Sequence, residues 1–172
     1  MLPKAGSERM IAARARPLAE LLQCPPGIGA LLNEAAVYID LDVGEIVFRQ
    51  PEVCRGLYVV IAGQYLRRTE RLETRLTLGV VRAGDVVELA AVLGDGRHTY
   101  TLSVQTHGSV LLLPMEALNR AFEAYPQLRM QLLEELAREV SRGYDASCQN
   151  RAPRVQRRSG GGQVGKQAGL HL

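Results

Sequence analysis

The chain has 172 residues, of which 47% are hydrophobic, 23% charged and 5% aromatic, with no tryptophan. That is enough for one domain with a real core, but too few rings to build the stacking platforms of single-strand nucleic-acid binders. The net charge of +3 comes from the end of the chain: Arg151, Arg154, Arg157, Arg158 and Lys166 follow Cys148 with no acidic residue among them, and without those five the balance is 16 basic against 18 acidic residues, a net −2.

In chain order, residues 1–36 read as a helical segment. Ser7 can cap a helix through Met10, Ile11, Ala13 and Ala15, and Leu18, Leu21 and Leu22 share one helical face. Pro25-Pro26-Gly27 stops that helix, and a further short one runs from Ile28 to Ala36. From Val37 the period drops to two: Val37, Ile39, Leu41 and Val43 alternate with Tyr38, Asp40 and Asp42. Gly44-Glu45 is a turn before Ile46-Val47-Phe48. Leu57 to Ala62 is a continuous apolar run, Gly63-Gln64 turns it into Tyr65-Leu66-Arg67, and Thr74 to Val81 alternates with Leu76, Leu78 and Val80 on one side. Thr99–Thr106 and Ser109–Leu113 complete six to eight short strands with a turn signal about every ten residues, which predicts an all-β sandwich or barrel over 37–114. Residues 115–147 return to helical period. Pro126 opens the longer helix, Leu128, Leu132, Leu133, Leu136 and Val140 form its apolar stripe, Glu134 and Arg138 make an i, i+4 pair, and Gly143 stops it. Residues 148–172 are basic, glycine-rich and too polar to order themselves.

The order of the segments Leu41-Asp42-Val43-Gly44-Glu45-Ile46-Val47-Phe48, Leu57 to Tyr65, Ala83-Gly84-Asp85-Val86-Val87-Glu88-Leu89-Ala90, Arg97 and Leu111-Leu112-Leu113-Pro114 resembles the cyclic-nucleotide-binding domain family, which includes the catabolite activator proteins and the protein kinase A regulatory subunits. The resemblance implies a mainly β jelly-roll barrel with helices before and after it. It also implies a ligand-sensing regulatory module and a phosphate-binding cassette between Gly84 and Thr101. Glu88 then stands where the family's glutamate binds the ribose 2′-hydroxyl. Arg97, nine positions on, stands where an arginine meets the cyclic phosphate with its guanidinium fork. Val87, Leu89, His98 and Thr99 complete the implied site, and cyclic AMP or cyclic GMP is the implied ligand. The cassette departs from the family pattern. Val86-Val87 replaces the usual Phe-Gly, so a β-branched residue stands where glycine permits close approach to the phosphate. Tyr100 is far larger than the usual occupant and fills part of a pocket. In a cassette without a nucleotide, Glu88 and Arg97 would close on each other as an ion pair.

Other chemistry finds little support. Cys24, Cys54 and Cys148 contain no CxxC pair, which points to reduced thiols in a cytosol and predicts no metal. His98, His107 and His171 lack the His-x-His spacing of a metal-dependent jelly roll and read as solvated or turn residues. Asp40, Asp42 and Glu45 read as a solvated strand face. No nucleophile elbow, Walker loop or Cys/His signature is present, so an enzyme is not expected. Nor is a membrane span, since no apolar run reaches 18 residues, or a secretory leader after Arg9, Arg14 and Arg16. The basic tail lacks any helix-turn-helix pattern, so sequence-specific DNA reading is not expected. The chain then reads alternatively as a Crp/Fnr-type regulator without its DNA-binding half, or as a dimerisation module without a ligand. The resemblance places a parallel homodimer along residues 126–142, with Leu133, Leu136 and Val140 as its a–d–a seam and Leu132 and Ala137 widening it.

Overall fold

The structure is a computed structural model that describes residues 17–71 and 74–149. The Ser7 helix, His171 and the five cations of the tail lie outside the described residues. Helix α1 is one turn, Leu18–Leu21, and α2 spans Pro26–Ala35. Pro26 sits in the first turn of α2, so it begins that helix and does not merely end the one before. Six strands follow in antiparallel pairing: β1 Val37–Leu41, β2 Ile46–Phe48, β3 Gly56–Arg71, β4 Thr74–Arg82, β5 Val86–Val87 and β6 Thr101–Pro114. The short α3, Leu89–Leu93, lies between β5 and β6, and α4 (Met115–Ala124) and α5 (Pro126–Gln149) close the described chain. The main path of the sheet is β1-β6-β3-β4, with β2 on β6 and β5 on β3. The path has two ends, so this is a mainly antiparallel jelly roll that hydrogen bonding does not close into a barrel.

The spine is the long pair β3–β6, matched from Gly56↔Pro114 to Arg68↔Thr101. The expected turn at Gly63-Gln64 is instead a bulge inside β3, where the register slips between Val60 and Tyr65. Gly63 at φ +90° adopts a conformation that favours glycine, and opposite it a Cβ on Gly108 would lie 2.2 Å from the Ala62 carbonyl oxygen. Two strands bend across each other there with backbone against backbone. Gly108→Ala has only main chain to push against, so it should cost about 2–3 kcal/mol, read as a lower urea midpoint with the slope unchanged.

The apolar run at the start of β3 is continuous because both its faces are covered. Leu57 and Val59 face the helices, packing with Leu18, Leu22, Leu32, Leu113, Leu118 and Leu128. Tyr58 and Val60 face the inside of the roll with Phe48, Tyr65, Val87, Tyr100, Leu102, Val104 and Val110. Helix α5 lays Leu128 and Leu132 into the first cluster, and Leu136 packs against its edge. That helix runs through Gly143 to Gln149. Its Arg138 pairs with Glu135 at 2.8 Å, and Arg142 with the same carboxylate at 3.0 Å, in place of the expected Glu134. Both arginines hold the Glu135 carboxyl below its ordinary range, chiefly through the Arg138 hydrogen bond.

Candidate functional site

The site grows from the end of β5. Val86 and Val87 pair with Val59 and Tyr58 of β3, and Val87 is buried in the roll. Glu88 then takes the left-handed conformation, φ 76° and ψ 24°, and caps α3. This is a strained choice for a side chain with a Cβ. It turns the carboxyl into the roll, where Glu88 is 2% exposed. The return segment is held by backbone bonds: Cys54 N–H donates to the Gly96 carbonyl at 2.7 Å and His98 N–H to the Glu52 carbonyl at 2.9 Å.

Those bonds set which side chains of the segment leading into β6 point inward. His98, Tyr100, Leu102 and Val104 are buried, whereas Arg97 before them and Thr99 between them are exposed. The expected shared cavity of Glu88 and Arg97 is therefore not formed. Arg97 donates from its guanidinium to the Pro51 carbonyl at 3.2 Å on the outside, and no Glu88–Arg97 ion pair exists among the described residues. The partner of Glu88 is His98, with Nδ1 2.8 Å from Oε2 and both side chains almost wholly buried. His98 is thus a core residue, contrary to the solvated histidine expected. The mistaken clue was its polarity, and the signal that could have placed it was the alternation Tyr100, Leu102, Val104 read one step back. His107 is exposed as expected and meets Asp42 at 3.0 Å.

Around the pair the roll is aromatic. His98 stacks on Phe48 with ring centroids 4.0 Å apart and planes at 5°, and Tyr58 lies 6.2 Å from the imidazole. The Tyr100 hydroxyl accepts the Glu88 backbone N–H at 3.3 Å, and its burial pushes that phenol far above its ordinary range. Cys54 donates its S–H to the Gly56 carbonyl at 3.1 Å. Burial pushes the Cys54 thiol up to about 11, with the charge of nearby Glu88 adding to it. Oxygen Oε1 of Glu88 is buried without a protein hydrogen-bond partner.

A cleft of about 620 Å³ opens on the other side of the cassette, between α5, β4 and the Gly84–Val86 turn. Of the expected site residues only Leu89 lines it; Arg67 and Glu139 stand at its wall. Arg67 reaches Glu139 of α5 at 2.8 Å, and its guanidinium lies 5.7 Å from the Tyr100 ring centroid. The chain of contacts Glu88–Tyr100–Arg67–Glu139 therefore links the cassette to α5.

The architecture is a jelly roll with helices before and after it and a short helix, with Glu88 at its N-terminal end, between its strands. The sequence model described as cyclic nucleotide-binding domain matches residues 39–125, and the chain belongs to that family. Among solved structures it is similar to the catabolite activator protein of Thermus thermophilus, at 20% identity and a TM-score of 0.65 over 78% of this chain and 62% of that one. It is also similar to the sensor domain of the transcriptional regulator DNR from Pseudomonas aeruginosa, at 20% identity and a TM-score of 0.63 over 81% of this chain and 92% of that one. The regulatory domain of Toxoplasma gondii PKA, crystallised with cAMP, aligns at 16% identity and a TM-score of 0.59 over 69% of this chain and 46% of that one. At these identities the likeness is one of fold. The chain spans less than two thirds of the Thermus protein. No curated protein matches the chain. Among the described residues no helix is long and apolar enough to cross a membrane.

Proposed function

We propose that this chain is a regulatory sensor module of the cyclic nucleotide-binding family whose cassette is closed by its own side chains, so that it takes neither cyclic AMP nor cyclic GMP at Glu88. One observation carries this reading: the carboxyl of Glu88 is committed to His98 and its N–H to Tyr100, while Arg97 lies outside. A nucleotide would have to break both bonds, expel Tyr100 from the core and bring in Arg97, which is held to the Pro51 carbonyl on the outside. A ligand at 100 times its Kd stabilises the folded state by about 2.7 kcal/mol. Millimolar cyclic AMP or cyclic GMP should leave the melting temperature unchanged, and a rise of several degrees with either would refute the closed cassette.

The regulatory reading has a second support in α5. Met130, Leu133, Ala137, Val140 and Tyr144 are exposed, and they recur at intervals of three and four, the a–d rhythm of a two-stranded seam. Leu132 and Leu136, which the sequence pattern assigns to the seam, face the roll instead. A parallel homodimer through α5 therefore uses Leu133 and Val140, with Met130 and Tyr144 extending it. Sedimentation should show a dimer for the wild type at tens of micromolar, a range in which even micromolar affinities populate the complex, and a monomer for Leu133→Glu/Val140→Glu. A monomeric wild type would remove the assembly.

A further inference from the structure

Cys54, Glu88 and His98 enter the centre of the roll from three separate segments, and a sulfur, a carboxylate oxygen and an imidazole nitrogen from them all lie within 4.8 Å of one another. All three residues are buried. We propose that these three side chains bind a divalent transition-metal ion of the zinc class, making the closed cassette a metal site. The inference rests on the reading that no nucleotide occupies Glu88, because ion and nucleotide would need the same carboxylate.

The donor set is the first reason. Thiolate, imidazole and carboxylate together suit a borderline ion such as Zn²⁺ and poorly suit Mg²⁺ or Ca²⁺, which prefer oxygen. Three protein ligands leave a fourth position for water or a small ligand, the usual arrangement of an open zinc site. Tetrahedral bond lengths put such donor atoms about 3.3–3.6 Å apart, so the present spacing needs side-chain adjustment and no movement of strands. The second reason is the orphan oxygen: Oε1 of Glu88 is buried with no protein partner, and a buried carboxylate oxygen calls for a donor or a cation. Arg97, the nearby guanidinium the family pattern would supply, faces outward. The third reason is preorganisation. The backbone bonds Cys54 N–H to Gly96 and His98 N–H to Glu52 tie two ligand-bearing segments together, and stacking on Phe48 fixes the imidazole plane.

On binding, the Cys54 S–H bond breaks, a sulfur–metal bond forms and the proton passes to solvent; the oxidation state of the ion does not change. The Glu88–His98 hydrogen bond gives way to two bonds to the ion, and its proton leaves Nδ1 for Nε2 of the same ring or for solvent. Glu88 caps α3 and touches Tyr100 through its N–H, so occupancy would stiffen the cassette end of the line that reaches α5.

Metal-free full-length protein titrated with cobalt(II), excluding oxygen, tests this directly. One cobalt per chain should bind, with a near-ultraviolet thiolate-to-cobalt band and the intense visible bands of four-coordination, and zinc should displace it. Cys54→Ser should abolish the thiolate band, and His98→Gln should weaken binding at least tenfold. A wild type without that band overturns the site, whether or not any variant folds. So does a band that survives Cys54→Ser, which would assign the sulfur to Cys24 or Cys148. Titration of the same wild-type sample with cyclic AMP separates the two readings. Protein that binds neither cobalt nor nucleotide loses the metal site and keeps the closed cassette, whereas nucleotide binding that depends on Glu88 removes both.

Discussion

Glu88→Ala should lower the melting temperature of the metal-free protein by roughly 10 °C, whereas Arg97→Ala should leave it within about 2 °C of wild type. If the two residues were joint ligands of a phosphate ribose, their removal from unliganded protein would have similar, small effects. The geometry makes them unlike. Glu88 is 2% exposed and holds His98 at 2.8 Å. Its loss strands an imidazole in an aromatic pocket and leaves a void, and removing one partner of a buried pair costs about 3–5 kcal/mol. Some of that is returned if alanine relaxes the contacts around φ 76°, but alanine also carries a Cβ and keeps most of the strain. The double variant with His98→Leu isolates the pair: a cycle in which the double variant is more stable than Glu88→Ala alone marks the stranded histidine as the main cost. Equal melting temperatures for Glu88→Ala and Arg97→Ala would show that Glu88 is not committed to the core.

Tyr100→Ala is the second large change. Tyr100 is 8% exposed, packs 5.6 Å from the Phe48 ring centroid, covers Arg67 and accepts the Glu88 N–H. Truncating a buried aromatic side chain costs about 3–5 kcal/mol, and Tyr100→Phe, which removes only the acceptor, should cost about 1–3 kcal/mol for an orphaned N–H. The effect should also travel. Without the ring Arg67 loses the surface that orients it toward Glu139, so amides of α5 beyond Leu136 should exchange with deuterium faster in Tyr100→Ala than in an equally destabilised Gly108→Ala. Equal protection of α5 in those two variants would break the proposed connection between cassette and helix, since global destabilisation alone affects both alike.

The elements of the fold are legible in the sequence because their periods are plain. Alternation sets β1 and β4, the unbroken run Leu57 to Ala62 marks a strand covered on both faces, and Pro126 marks the start of the long helix. The departures share a cause: glycine reports backbone freedom without saying what the freedom is for. Gly63 has the pattern of a turn and forms a bulge, since a second glycine, Gly108, lies across from it and lets two bent strands touch. Gly143 has the pattern of a stop, yet α5 continues for another turn and more. At the site, the motif order pairs Glu88 with Arg97, whereas the structure turns the Glu88 carboxyl inward and Arg97 outward. Motif spacing does not say which way a side chain faces: Arg97 sits in an isolated bridge to Val53 and bonds to the Pro51 carbonyl on the outside. Cys54 gives no local signal because its neighbours in sequence offer no second ligand. His98 reaches it through the pairing of Val53 with Arg97 and Glu88 through that of Tyr58 with Val87, long-range contacts that no local spacing announces.

Isothermal titration of the wild-type protein with cyclic AMP tests the closed cassette most directly. A cassette closed by His98 and Tyr100 gives no saturable heat up to about 1 mM ligand, a Kd limit that corresponds to less than about 4 kcal/mol of binding free energy. A one-to-one isotherm with a micromolar Kd, lost in both Glu88→Gln and Arg97→Ala, would contradict it.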